Sequence, residues 1–172
     1  MHPLFHIQTD HIQTLDDGQA RELLARLCRF HIQRAGLDPA NVFWGGNQRA
    51  ADEGVDVRVD SQPACDVSGP LRRSVAIVQV KAEPFRPAKI ALEMAPKGVI
   101  RPSIASLASN GGAYVIASTS DDPADPRRRD RVAAMERVLS DHGLAGKISV
   151  DFLGARQIAD WVEKFPPLAI WV

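Results

Sequence analysis

Several common features are scarce or missing in this chain. It holds two cysteines, Cys28 in a helical pattern and Cys65 in a loop, and these form neither a CxxC pair nor, with the five histidines, a set at metal-ligand spacing. They read as a core thiol and an incidental loop thiol. No apolar run approaches the roughly 18 residues that a membrane span requires. The opening MHPLFHIQTDHIQT lacks the basic region and unbroken apolar core of a signal peptide, so a cytoplasmic protein is expected. A surplus of positive charge is also missing: Lys+Arg and Asp+Glu both number 21, whereas free-standing DNA-binding domains usually carry a basic excess. No G-x-G-x-x-G or P-loop offers a phosphate cradle, and no helix-turn-helix, zinc finger or basic tail is present. What is there is ordinary globular composition, 45% hydrophobic and 24% charged over 172 residues, which fits one domain, 1–172, with a sizeable core.

The informative stretch spans residues 45–81. In GVDVRVD, Val55, Val57 and Val59 alternate with Asp56, Arg58 and Asp60, as in a strand with one apolar face. In SVAIVQVKA, apolar residues fall on both faces, the pattern of a central strand covered on both sides. Gln79 and Lys81 interrupt it. Side chains on a strand repeat every two residues, so these two polar groups project side by side from one face. A lysine so placed needs a partner, because an unpaired charge away from water is costly; Asp56 on the neighbouring strand can supply one. A purely structural Asp–Lys pair is the alternative, although such pairs often add little net stability.

An acid, then about two dozen residues with a hairpin-like connection, then Gln-x-Lys resembles the PD-(D/E)xK nuclease superfamily, and within it the Mrr-like restriction endonuclease branch. The matching residues are Gly54-Val55-Asp56-Val57 and Gln79-Val80-Lys81; Glu53 stands where that family often has a second glycine. The resemblance implies an α/β fold, a restriction-endonuclease-like mixed sheet flanked by helices with an αβββαβ core. It implies a metal-dependent DNA endonuclease using Mg²⁺ or Mn²⁺. Asp56 and Gln79 would hold the metal, and Lys81 would serve the attacking water or the developing charge. In the family the first helix adds a glutamate, for which Glu22 in ARELLARL is the candidate; the other reading of Glu22 is a solvated i to i+4 pair with Arg26. Because Gln79 leaves the site less negative, Asp52 or Glu53 are further candidates to complete it. The alternative function is a nuclease-like module that has lost activity and binds or senses.

Read in order, residues 1–14 repeat HIQT and are expected to form an extension or a short edge strand. Residues 15–35 read as a helix capped by Asp16 or Asp17, with Ala20, Leu23, Leu24, Leu27, Cys28 and His31 on one face and Gly36 as its stop. Residues 42–44 form a short strand before Gly45-Gly46, and residues 61–73 a loop. Residues 88–94 give one or two helical turns, 102–109 a helix and 113–119 a buried strand. Asp125 is expected to cap a helix whose first position is Pro126, with Val132, Met135, Val138 and Leu139 on its apolar face. Residues 147–153 read as a strand, 155–164 as an amphipathic helix and 168–172 as a last strand.

Arg127, Arg128 and Arg131 sit in the first turns of their helix, where positive charge opposes the helix dipole. They are candidates for phosphate contact; the alternative is a solvated face screened by Asp121, Asp122, Asp125 and Asp130. With no net charge, DNA as the partner implies weak intrinsic affinity. Mrr-like domains are often one module of a larger protein, including antiphage defence proteins in which a STAND-type ATPase clusters the nucleases. The apolar end LAIWV fits such a module, acting as an oligomer with a sensor or ATPase in the same full-length chain.

Overall fold

The computed structural model describes residues 6–45 and 55–171. Along the chain run α1 (Thr9–Gln13), α2 (Asp17–Arg34), β1 (Val42–Trp44), β2 (Val57–Asp60), β3 (Val75–Lys81), α3 (Pro87–Met94), α4 (Pro102–Asn110), β4 (Ala113–Ser118), α5 (Asp125–Asp141), β5 (Ser149–Leu153), α6 (Ala155–Val162) and α7 (Pro166–Ala169). The strands form one sheet in the order β1-β2-β3-β4-β5. The first three pair antiparallel, and β3, β4 and β5 pair parallel. The protein is therefore an α/β fold with a five-stranded mixed sheet flanked by helices. Among the described residues no helix is long and apolar enough to cross a membrane.

Two cores lie on the two faces of the sheet, and the strand period assigns residues to them. Val57, Val59, Ala76, Val78 and Val80 meet α1, α2, α6 and α7. Val75, Ile77, Tyr114, Ile116 and Phe152 meet α3, α4 and α5. β3 and β4 are buried along nearly their whole length because both faces are covered.

The helices begin and end where local chemistry dictates. Asp16 caps α2 by accepting from the Gln19 backbone N–H at 2.8 Å, while the Gln19 side chain accepts from the Asp16 N–H. Gly36, at φ +79°, follows its end in the left-handed conformation that glycine adopts freely. Three expectations change. The HIQT segment is the short helix α1 and not an edge strand, with Gln8 and His11 forming a reciprocal cap. The residue capping α5 is Ala124, so Asp125 lies inside the first turn, where it takes Arg129 as partner at 2.5 Å. The LAIWV end contributes to α7 and not to a strand: Pro166 and Pro167 pre-set a helical start, and Leu168 and Ala169 pack into the first core.

Candidate functional site

Asp56 immediately precedes β2, whose ladder with β3 runs from Asp60↔Val75 to Val57↔Val78. One step further along that register, Asp56 faces Gln79. Its Oδ2 accepts from Gln79 Nε2 at 2.6 Å and from the Val80 backbone N–H at 2.8 Å. The carboxylate thus satisfies a β3 donor beyond the point where the β2 ladder stops. Gln79 and Lys81 project from the same face of β3, toward α3, as the two-residue repeat requires.

Lys81 finds its acid elsewhere. Its Nζ lies 3.1 Å from Glu93 Oε2 on α3, and the other oxygen of Glu93 is 3.0 Å from Arg101 Nη2. The Lys81 ammonium also stands 5.5 Å from the ring centre of Phe85. With Lys81 and Glu93 side chains only 20% and 16% exposed, this charged row is largely shielded by protein. Glu93 was not singled out from the sequence. The signal for it is the helical spacing of Ile90 and Met94, which bury one face of α3 and set Glu93 at that face's edge, over the end of β3.

From the first helix it is Arg21 that reaches Asp56, and not Glu22. Arg21 Nε is 3.0 Å from Asp56 Oδ1, close enough for an ion pair but not aligned as a hydrogen bond, so that Nε has no hydrogen-bond acceptor. Arg21 also pairs with Asp17 at 2.6 Å. Glu22 is held by Arg26, whose Nε and Nη2 donate at 2.9 and 2.6 Å. One residue along a helix turns the side chain by about 100°, which is enough to exchange a carboxylate for a guanidinium at Asp56. The other candidate acids, Asp52 and Glu53, lie outside the described residues.

The electrostatics follow from this packing. Burial raises the Asp56 carboxyl above its ordinary range; the Val80 N–H, Arg21 and Lys81 oppose that rise, and Asp17 adds to it. Tyr114, opposite Ile77 in the ladder and so on the same face as Gln79, has its hydroxyl pushed up chiefly by burial, with Glu93 and Asp56 adding and Arg101 opposing.

One atom bears on a metal. Gln79 Oε1 is buried without a hydrogen-bond partner, an unusual cost for a polar atom. Asp56 and an unsatisfied amide oxygen beside it are hard oxygen donors of the kind Mg²⁺ takes, one or two from protein and the rest from water. The amide nitrogen and oxygen exchange places on a half-turn of the side chain, so the same position can donate to Asp56 or face a cation. Among the described residues no group of three or more His, Cys, Asp or Glu able to hold an ion occurs, so any cation here would rest on these one or two oxygens and on water.

The arginines of α5 divide. Arg131 is buried, donating to Asp121 at 2.5 Å, to the Phe85 carbonyl at 3.0 Å and to the Arg127 carbonyl at 2.9 Å, with its guanidinium 5.1 Å over the Phe152 ring. Arg128 donates to the Phe152 carbonyl at 2.9 Å and pairs with Asp151, which also holds Arg72. These two anchor α5 to the loop after β3 and to β5 and do not point outward for phosphate; Arg127 is exposed. The sequence showed the arginines in the first turns of one helix, but which of them turn inward is decided by carbonyls and acids on other elements. Compared with known proteins, this chain matches no protein-family model, no curated protein and no solved structure.

Proposed function

We propose that the protein is a metal-dependent endodeoxyribonuclease whose catalytic residues are Asp56, Gln79 and Lys81. The observation that carries this reading is the convergence on one face, at the end of β3, of a partly buried carboxylate, a buried amide oxygen without a partner and a shielded lysine. Asp56 and Gln79, through Oε1, would hold Mg²⁺ or Mn²⁺, which when bound supplies an activated water and charge stabilisation for phosphodiester hydrolysis. The Val80 N–H would hold the Asp56 carboxylate when the Gln79 amide turns its oxygen to the ion. Lys81 Nζ serves the attacking water or neutralises charge developing on the phosphate, and Glu93 sets the direction of that Nζ. The Asp56…Gln79-Val80-Lys81 pattern resembles that of the PD-(D/E)xK superfamily. On the same reading the chain is a cytoplasmic effector module of a restriction or antiphage defence protein. It acts on DNA, is oligomeric when active, and is governed by a sensor or ATPase in the same polypeptide. Zero net charge supports weak binding by the module itself.

The deciding experiment is plasmid cleavage with Mg²⁺ or Mn²⁺ against EDTA, for the wild type and for Lys81→Ala and Asp56→Ala. Both variants should be folded by circular dichroism and inert. Undiminished cleavage by Lys81→Ala overturns the mechanism. A second reading, a nuclease-like module that binds without cutting, is favoured by one observation: Arg21 already stands against the Asp56 carboxylate, where a metal would compete with it. Absence of cleavage under all metal conditions, with DNA binding retained, supports that reading.

A further inference from the structure

Beside the Asp56 row no described element covers the same face of the sheet over β1 and β2. Phe43 on β1 and Arg58 on β2 are directly opposite each other in the ladder. Val42 and Val59, their neighbours in sequence, point into the first core, so Phe43 and Arg58 point out on the other side. Phe43 is 56% exposed, an unusual state for a phenyl ring on a strand. Arg58 is exposed and has no ion-pair partner among the described residues. On this face α4 packs over β3 and β4. Between α4 and β2 it leaves a groove of about 350 Å³ whose lining includes Arg58, Asp60, Ser106 and Asn110.

The register fixes how this surface relates to the candidate site. Arg58 pairs with Ile77, and Gln79 lies two residues further along β3 on the same face, a separation of about 7 Å. An aromatic face, an unpaired guanidinium and a polar groove therefore border the site in one direction. An aromatic face with a neighbouring cation is the arrangement that holds an unstacked base and its phosphate, whereas a duplex keeps its bases stacked inside and offers an exposed ring nothing to stack on.

We infer that Phe43, Arg58 and the adjoining groove hold an unpaired stretch of the substrate strand, one base stacked on Phe43 and its phosphate on Arg58. The site thereby acts on single-stranded DNA, or on a strand locally opened from its complement. The occupant follows from charge complementarity: Arg58 is cationic and makes no ion pair among the described residues, even with Asp60 in the same lining, and a nucleic acid strand supplies both the anion and the flat apolar partner. This inference rests on the nuclease reading for its substrate but is tested without cleavage.

The test measures, in EDTA, the anisotropy of a labelled single-stranded oligonucleotide and of the blunt duplex of the same sequence. Wild type is compared with Phe43→Ala, Phe43→Trp and Arg58→Ala, each first shown to be folded by circular dichroism. Wild type should prefer the single strand. Phe43→Ala should weaken that binding on the order of tenfold, and Phe43→Trp should retain it. Arg58→Ala should lower the slope of log affinity against log salt by about 0.7, as for one lost phosphate contact on a single strand. Equal affinity for both DNA forms, or variants that bind like wild type, overturns the inference. So does a Phe43→Ala variant that alters sedimentation and not DNA binding, which would assign this face to a second copy of the chain. Plasmid cleavage with Mg²⁺ is scored separately: cutting without single-strand preference defeats this inference alone, and preference without cutting defeats the nuclease reading alone.

Discussion

Lys81 Nζ lies 3.1 Å from Glu93 Oε2, so the lysine at the end of β3 is held by α3, while Asp56 is held by Gln79, Val80 and Arg21. Glu93 is shared with Arg101, and its removal leaves two cations without their carboxylate. Glu93→Gln should cost about 2 kcal/mol in urea unfolding. On the nuclease reading it should also lower kcat more than it changes KM, because Lys81 Nζ loses its fixed direction, and Glu93→Asp should restore part of kcat. A variant with full kcat would show that Lys81 needs no positioning.

The raised pKa of Asp56 makes a pH prediction with a definite sign. The folded protein binds this proton more tightly than the unfolded chain, in which the carboxyl titrates near 3.8. The stability contributed by protonated Asp56 is fully present below that value and is lost as pH rises through the folded pKa. Asp56→Asn carries no such charge. The stability of wild type relative to Asp56→Asn, from urea unfolding in EDTA, should therefore fall with pH across that window and then level off. A relative stability that climbs with pH would mean that Arg21 and the Val80 N–H outweigh burial.

Gln79→Glu replaces the amide that donates to Asp56 at 2.6 Å with a second acid. Two carboxylates so close repel, and the variant should lose about 2 kcal/mol in EDTA. Millimolar Mg²⁺ should raise its melting temperature by more than it raises that of wild type, since a cation now bridges two charges. No response to Mg²⁺ in either protein would argue that these oxygens do not share an ion.

On α5 neighbouring arginines should behave oppositely. Arg131→Ala breaks a buried ion pair, removes two further hydrogen bonds and uncovers Phe152, and should cost about 3 kcal/mol in denaturant unfolding. Arg127→Ala should change stability by less than about 0.5 kcal/mol. If Arg127 meets a phosphate, its loss should lower the salt slope of duplex binding by about 0.9. Equal thermal stability of the two variants would contradict the inward placement of Arg131.

The strands were legible because their burial is written in the two-residue period: Val57 and Val59 on one side, and β3 and β4 apolar on both. So was the juxtaposition of Asp56 with Gln79, which follows from that period once β2 and β3 pair. The acid that meets Lys81 was not. The nearest acid in the hairpin is Asp56, but α3, started by Pro87 just after the strand, doubles back and delivers Glu93. Glu22 lies on a helical wheel well away from the centre of the apolar stripe of α2, whereas Arg21, one residue earlier, lies nearer that stripe and reaches Asp56. A short apolar run such as LAIWV suits a strand or a helix equally, and the pair Pro166-Pro167 decided for the helix.

The ladders around the site are unequal. Gln79 and Lys81 belong to β3, which is hydrogen-bonded on both sides, whereas Phe43 and Arg58 ride on β1 and β2, with Asp56 just before β2, a ribbon of three and four residues joined to the rest of the sheet through β2 alone. Backbone amides in such a peripheral ribbon open to solvent at a lower free energy than those of a central strand. Loss of the ribbon would carry away the acid and leave the amide and the lysine in place. The protein should therefore lose its site before it loses its fold, with amides of β2 exchanging hydrogen faster than those of β3 and function fading at denaturant concentrations where the parallel half of the sheet is still intact.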